Sequence, residues 1–282
     1  MAIKDILVHL DTTPRSAARL AVAATLAARH GAHLTGLHVI DVPPPDVLYG
    51  FPSAYLDVQR ADEIIDQLRA ARLGEAGPVQ DAFNERLRLD GLHGEWRTVE
   101  GITDEVVALH ARYADFAVLG QPDPTGWRGA EVSPTALMGS GRPILVVPYA
   151  GDFPTVGRRV LVGWNASPEA ARAVAEAMPL LQAADKVTVL SINPRGGIGG
   201  DGAVPAADIA LHMARHGIQA EAAHTVASDI PEGEALLSYA VDIGADLLVC
   251  GMYGHSRFRE FAFGGVTRGL LAHMTLPVFM SH

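Results

Sequence analysis

Between Leu247 and Thr267 the chain spaces its glycines in a way that suits the binding of an anion. Gly251 is followed after two residues by Gly254 and, after nine more, by the pair Gly264 and Gly265. An apolar run, Leu247 to Cys250, stops at the first glycine, and a helical pattern opens at the last. The glycines therefore occupy a turn between a buried strand and a helix. In an open parallel sheet, ligands sit beyond the carboxyl ends of the strands, where such turns lie. Residues without a Cβ let backbone N–H groups approach a phosphate, and the N-terminus of the following helix adds partial positive charge. The turn is thus expected to hold the phosphates of a nucleotide. Glycines also punctuate ordinary strand-to-helix turns, and neither the Walker lysine nor G-x-G-x-x-G is present. Inside the turn, the Arg257 fork suits a phosphate, although a loop arginine is equally at home in solvent. His255 is a second candidate. Phe258, Phe261 and Phe263 read as packing residues rather than base-stacking ones.

Other constellations are weaker. Asp208, His212 and His216 are spaced four apart, on one face of a helix. Two histidines at that interval can chelate zinc. No third ligand or catalytic glutamate is placed beside them, and His216-Gly217 looks like a helix C-terminus, where histidine is favoured. No metal site is therefore assigned. No G-x-S-x-G elbow exists from which to assemble a nucleophilic triad.

The elements that position the glycine turn follow from size and pattern. A chain of 282 residues can form two domains of ordinary size. It has no apolar segment of the roughly 20 residues needed to span a bilayer, and its start lacks the pattern of a signal peptide. The single cysteine, Cys250, fits a reducing compartment and a core position, so a cytoplasmic protein is expected. The net charge of −10 is spread along the chain without a basic tract, which argues against a nucleic-acid partner.

The first strand is expected over Ile3 to Leu10, with Thr13 capping a helix that Pro14 opens. A parallel strand follows over His33 to Ile40. Pro43 to Pro45 mark a loop, and helical pattern runs from about Ser53 to Leu89 with a break at Gly74 to Pro78. Then come a strand at Glu95–Val99 and a helix at Thr103–Tyr113, with Ile102, Val106, Val107, Leu109 and His110 near one side. Strands at Phe116–Gly120 and Pro143–Val147 follow, the last entered from a short helical turn at Ala136-Leu137. Five strands with intervening helices make one α/β domain, here residues 1–150, and 151–158 reads as a linker.

From residue 159 the pattern begins again. Val160 to Pro168 lies over Ile6 to Pro14 without a gap, Ala245 to Gly251 repeats Ala114 to Gly120, and Leu276 to Met280 repeats Arg142 to Val146. Three matched blocks in one order identify a tandem duplication. The second half replaces the long helical insert by Gly196 to Gly202 and a helix from about Pro205 to His216. The first half has lost the glycine turn. It reads Gly120 and then Asp123, with Ala130-Glu131 or Ser133-Pro134 at the later position. An acid and a proline there would repel a phosphate and remove an N–H donor.

These blocks together resemble the universal stress protein family, whose domains carry G-x-x-G, nine residues, then G and a small hydroxyl residue after the fourth strand. The resemblance covers both halves apart from the first-half insert. It implies two tandem doubly wound domains, each with a five-stranded parallel sheet of Rossmann-like, adenine nucleotide alpha hydrolase-like type. It also implies binding of ATP or a related adenine nucleotide, with Mg as an accompanying ion, in the C-terminal domain. Carried over by position, Gly251, Gly254, Gly264 and Gly265 would line the phosphates, with Val266 and Thr267 at the helix start. The first-strand acid that contacts adenosine in such members is Asp11 in the first half and Asn165 in the second. Ser191 of the second half is set against Val39 of the first. Gly265 departs from the usual serine or threonine, and Asn165 from the acid. The resemblance further implies a non-enzymatic stress or signalling role with at most slow ATP hydrolysis. It implies an intramolecular pseudo-dimer through Ile144–Val147 and Val278–Ser281, with a homodimer also open. The competing reading is an interaction scaffold that kept the fold and lost the ligand.

Overall fold

The computed structural model describes residues 2–41, 58–122, 139–194, 206–252 and 265–282. The expectations for Pro43 to Pro45, Asp123 to Pro134, Ala136-Leu137 and Gly196 to Gly202 lie outside these. The chain forms two compact units, Lys4–Arg142 and Pro143–His282, the latter with Met1–Ile3.

In the N-terminal unit the elements are β1 (Asp5–His9), α1 (Ser16–His30), β2 (His33–Ile40), α2 (Val58–Asp90), β3 (Gly94–Glu100), α3 (Thr103–Ala111) and β4 (Phe116–Gly120). The strands lie in the order β3-β2-β1-β4, and the pairs β1–β2, β1–β4 and β2–β3 are parallel. Such a sheet is covered on both faces, so its central strands are continuously apolar. Ile6, Leu7, Val8, Phe116, Ala117, Val118 and Leu119 are all buried.

In the C-terminal unit the elements are β5 (Ile144–Val147), β6 (Arg159–Gly163), α4 (Pro168–Gln182), β7 (Lys186–Ile192), α5 (Ala207–Arg215), β8 (Ala220–Thr225), α6 (Glu232–Asp242), β9 (Leu247–Gly251), α7 (Gly265–His273) and β10 (Val278–Ser281). Strand order is β5-β10-β9-β6-β7-β8. Its pairs are parallel except β5 with β10, where Ile144 faces Met280 antiparallel. Cys250 is buried in β9, and burial pushes its thiol up to about 12. It is a core residue, as its position in an apolar run suggested.

One repeated block has a plain mechanical role. The Asp115 carboxylate accepts the backbone N–H groups of Lys4 (2.6 Å) and Asp5 (3.0 Å). In the second repeat, Asp246 accepts those of Arg158 and Arg159, both at 2.9 Å. Each aspartate pins the start of its repeat's first strand, β1 and, in the second repeat, the strand that begins at Arg159.

Three local expectations are corrected. Helix α2 runs unbroken through Pro78. A proline offers no N–H to the carbonyl four residues earlier, here that of Gly74, and the helix continues all the same. Helix α3 buries Thr103, Val107, Ala108 and Ala111, while Ile102 and Leu109 are 47% and 48% exposed. Thr13 does not cap α1, because its N–H and hydroxyl are both drawn to Asp11 Oδ1 and the helix starts at Ser16. In the second repeat Ser167 takes the capping role, its Oγ accepting from Ala170 N at 3.2 Å with Pro168 opening the helix.

Candidate functional site

The carboxyl ends of β6, β7 and β9 lie at one end of the C-terminal sheet. Gly163 is in register with Leu190, and Trp164 N–H donates to Leu190 O at 2.9 Å. Ser191 therefore stands one residue past the last register pair of β6 and β7. Its Oγ is buried and has no hydrogen-bond partner among the described residues, and the residue is 1% exposed. Beyond β6, Asn165 is exposed and its Oδ1 accepts Ser167 N–H at 3.2 Å. Its amide group remains open to solvent.

After β7 the chain turns through Asn193 in the left-handed region, with φ of 49°. Asn193 Oδ1 accepts Ala227 N–H at 2.9 Å, and its Nδ2 donates to Ala227 O at 3.1 Å. This pair of hydrogen bonds ties the turn after β7 to the turn after β8. Nothing in its spacing marked Asn193 as special. An asparagine directly after an apolar strand was the available signal, since asparagine tolerates positive φ.

Gly251 ends β9 against the first turn of α4. A Cβ there would lie 2.6 Å from Ala170 N and from the Glu169 carbonyl carbon, so close backbone packing already requires glycine. Gly233 has a similar place at the start of α6, where a Cβ would meet Val266 O at 3.0 Å. Gly265 opens α7, with Val266 exposed and Thr267 buried. Gly254, His255, Arg257 and Gly264 lie outside the described residues.

The N-terminal unit shows what a closed version of this end looks like. Leu10 N–H donates to Leu37 O at 2.9 Å, the counterpart of the Trp164–Leu190 bond. By that register Ser191 matches His38 and not Val39, which corrects the alignment made from sequence. His38 Nδ1 donates to Leu10 O at 2.8 Å and its ring stacks on Trp96. Asp11, the counterpart of Asn165, is fully engaged. Oδ1 accepts from Thr13 N–H at 2.8 Å and from Ser16 Oγ at 2.9 Å, and Oδ2 pairs with Arg19 Nη2 at 2.6 Å. Arg19 Nε also donates to His9 O at 3.1 Å, and its Nη1 lies so close over Gly120 that a Cβ there would collide with it. Burial alone would raise the Asp11 carboxyl, but the Arg19 charge and the Thr13 hydrogen bond together hold it below the usual carboxylate range. Arg19 is a site residue that the sequence reading missed. Its counterpart in the second repeat, four residues after Glu169, is buried Ala173.

A profile of the universal stress protein family matches residues 2–133 and again residues 157–282. The chain belongs to the universal stress protein family. Its fold is similar to that of a universal stress protein from Archaeoglobus fulgidus DSM 4304, at 14% identity with a TM-score of 0.69, covering 98% of this chain and 97% of that one. It is also similar to a functionally unknown protein, PA1789, from Pseudomonas aeruginosa PAO1, at 14% identity and a TM-score of 0.58, covering 99% and 92%. No curated protein sequence matches. The duplicated architecture of this universal stress protein is thus two family domains in one chain. No described helix is long and apolar enough to cross a membrane.

Proposed function

We propose that this universal stress protein binds an adenine nucleotide in its C-terminal unit and uses it in stress sensing or signalling, as a binding protein with at most slow hydrolysis. The observation that carries this reading is the unpartnered Ser191 hydroxyl. Burying a hydroxyl without a partner costs about 1–3 kcal/mol, and a ligand hydroxyl or ring nitrogen at the carboxyl end of β7 would remove that cost. The open Asn165 amide on the neighbouring strand end offers a second donor. The phosphates would meet the backbone of Gly251, Gly254, Gly264 and Gly265 with Val266 and Thr267 at the start of α7, and His255 and Arg257 from the turn between. Any Mg would ride on the phosphates, since no group of three protein ligands for a metal occurs among the described residues. In the N-terminal unit the matching acid is consumed by Arg19, which supports a single competent site.

Titration calorimetry of the full chain with ATP, AMP and a non-nucleotide phosphate tests the reading. Saturable binding of an adenine nucleotide, weakened by Ser191→Ala, is expected. No heat and no shift in melting temperature at millimolar ATP would favour the scaffold reading.

A further inference from the structure

Helix α5 carries two histidine side chains that enter no hydrogen bond or ion pair among the described residues. His212 and His216 stand one turn apart, both exposed, with ring centroids 4.8 Å apart and planes inclined at 57°. A histidine at a helix end is accounted for by the helix dipole, but that explains neither the second ring nor its closeness to the first. We infer that His212 and His216 form a two-nitrogen site for a divalent transition-metal ion.

The chemistry follows from ligand type and spacing. Two histidines four apart on one helical face bring their imidazoles within reach of one ion. Imidazole suits copper, nickel and zinc, with Cu²⁺ held most strongly in the divalent series, whereas Mg²⁺ and Ca²⁺ require oxygen ligands. Among the described residues no third His, Cys, Asp or Glu joins the pair, so water completes the coordination shell. Asp208, exposed one further turn toward the N-terminus, adds negative charge along the same stripe without reaching the ion.

The site also has a structural consequence. Met213 is the one buried residue of α5, and Gln182 Nε2 holds the end of the helix through His216 O at 3.1 Å. An ion bridging His212 and His216 clamps the last turn of this lightly anchored helix, and so ties metal binding to its order.

The test uses the full chain and the metal alone. Cu²⁺ and Zn²⁺ are titrated calorimetrically into the wild-type protein and into His212→Ala and His216→Ala, both surface changes whose folding is checked by circular dichroism. One site is expected to weaken by about tenfold or more in each variant, because losing either ligand removes the advantage of bivalent attachment. Electron paramagnetic resonance at one equivalent of Cu²⁺ should lose one coordinated nitrogen in each variant. Affinity and spectrum unchanged in both variants would overturn the assignment. Equal competition by Mg²⁺ would overturn the claim of nitrogen ligation. Neither outcome bears on nucleotide binding.

Discussion

Arg19 Nη2 lies 2.6 Å from Asp11 Oδ2 with the two side chains only 6% and 10% exposed, so the N-terminal unit fills with a buried ion pair the strand end where the second repeat has Asn165 and Ala173. Removing one partner of a buried pair leaves an uncompensated charge, which costs about 3–5 kcal/mol. Arg19→Ala should therefore destabilise the N-terminal unit by about that amount in urea unfolding. Adding Asp11→Asn to it should recover much of the loss, since the neutral amide no longer needs a cation. A double variant no more stable than Arg19→Ala alone would show that the arginine acts through packing over Gly120 rather than through charge.

His9, two residues before Asp11 at the end of β1, sets a dependence on pH. Burial, helped by the neighbouring Arg19 charge, lowers its pKa to about 3, against an opposing pull from Asp11. The folded state thus keeps His9 neutral where the unfolded chain, with a pKa near 6.5, takes up a proton. Stability is full above that value and falls as pH drops from about 6.5 toward 3. His30 and His110, both lowered chiefly by burial, add changes of the same sign. Asp11, whose pKa is depressed, adds its own loss only below the ordinary carboxylate value of about 3.9. Urea midpoints measured from pH 7 to 4 should decline, and His9→Gln should flatten that decline.

Much of the fold was legible because buried parallel strands are written as unbroken apolar runs. His33–Ile40 and Phe116–Gly120 match their observed bounds, and the repeat of those runs disclosed the duplication. The misses share a cause, namely a local signal overruled by a partner distant in sequence or on the next turn. Thr13 has the right type to cap a helix, but the Asp11 carboxylate competes for it. Pro78 should break α2, but Phe83, fully buried five residues farther on with its ring against Trp96 of β3, anchors the helix to the sheet. Arg19 was passed over although it shares a helical stripe with Ala23 and Leu26, and a charge inside an apolar stripe was the sign that it had a buried partner. Of the candidate site, the strand ends and the Asn165 position were readable. The open Ser191 hydroxyl was not, because hydrogen-bond satisfaction has no signature in sequence.

Gly251 separates packing from ligand binding. Its missing Cβ is demanded by the Ala170 and Glu169 backbone, which cannot yield as a flexible side chain would. Gly251→Ala should cost about 1–3 kcal/mol through overpacking against α4, measurable without any nucleotide present. Changing Gly254 to a bulky residue should weaken nucleotide binding with a smaller effect on stability. If both substitutions reduced stability equally and neither touched binding, the glycine turn would be structural alone.

Ser191 gives the sharpest test of the functional reading, because structure and ligand pull its substitution in opposite directions. In the free protein the Oγ is buried without a partner, so Ser191→Ala removes a desolvated group and should leave stability unchanged or raise it by up to about 1–3 kcal/mol. In the complex the same hydroxyl would hydrogen-bond the nucleotide, so its loss should weaken binding by about 0.5–1.5 kcal/mol, up to roughly tenfold in Kd. Melting temperature with and without ATP reads both effects in one experiment: Ser191→Ala should melt no lower than wild type alone, yet gain less from ATP. A variant that gains as much as wild type would show that the nucleotide does not reach the end of β7. A variant that melts lower without ligand would mean that the hydroxyl is satisfied within the protein.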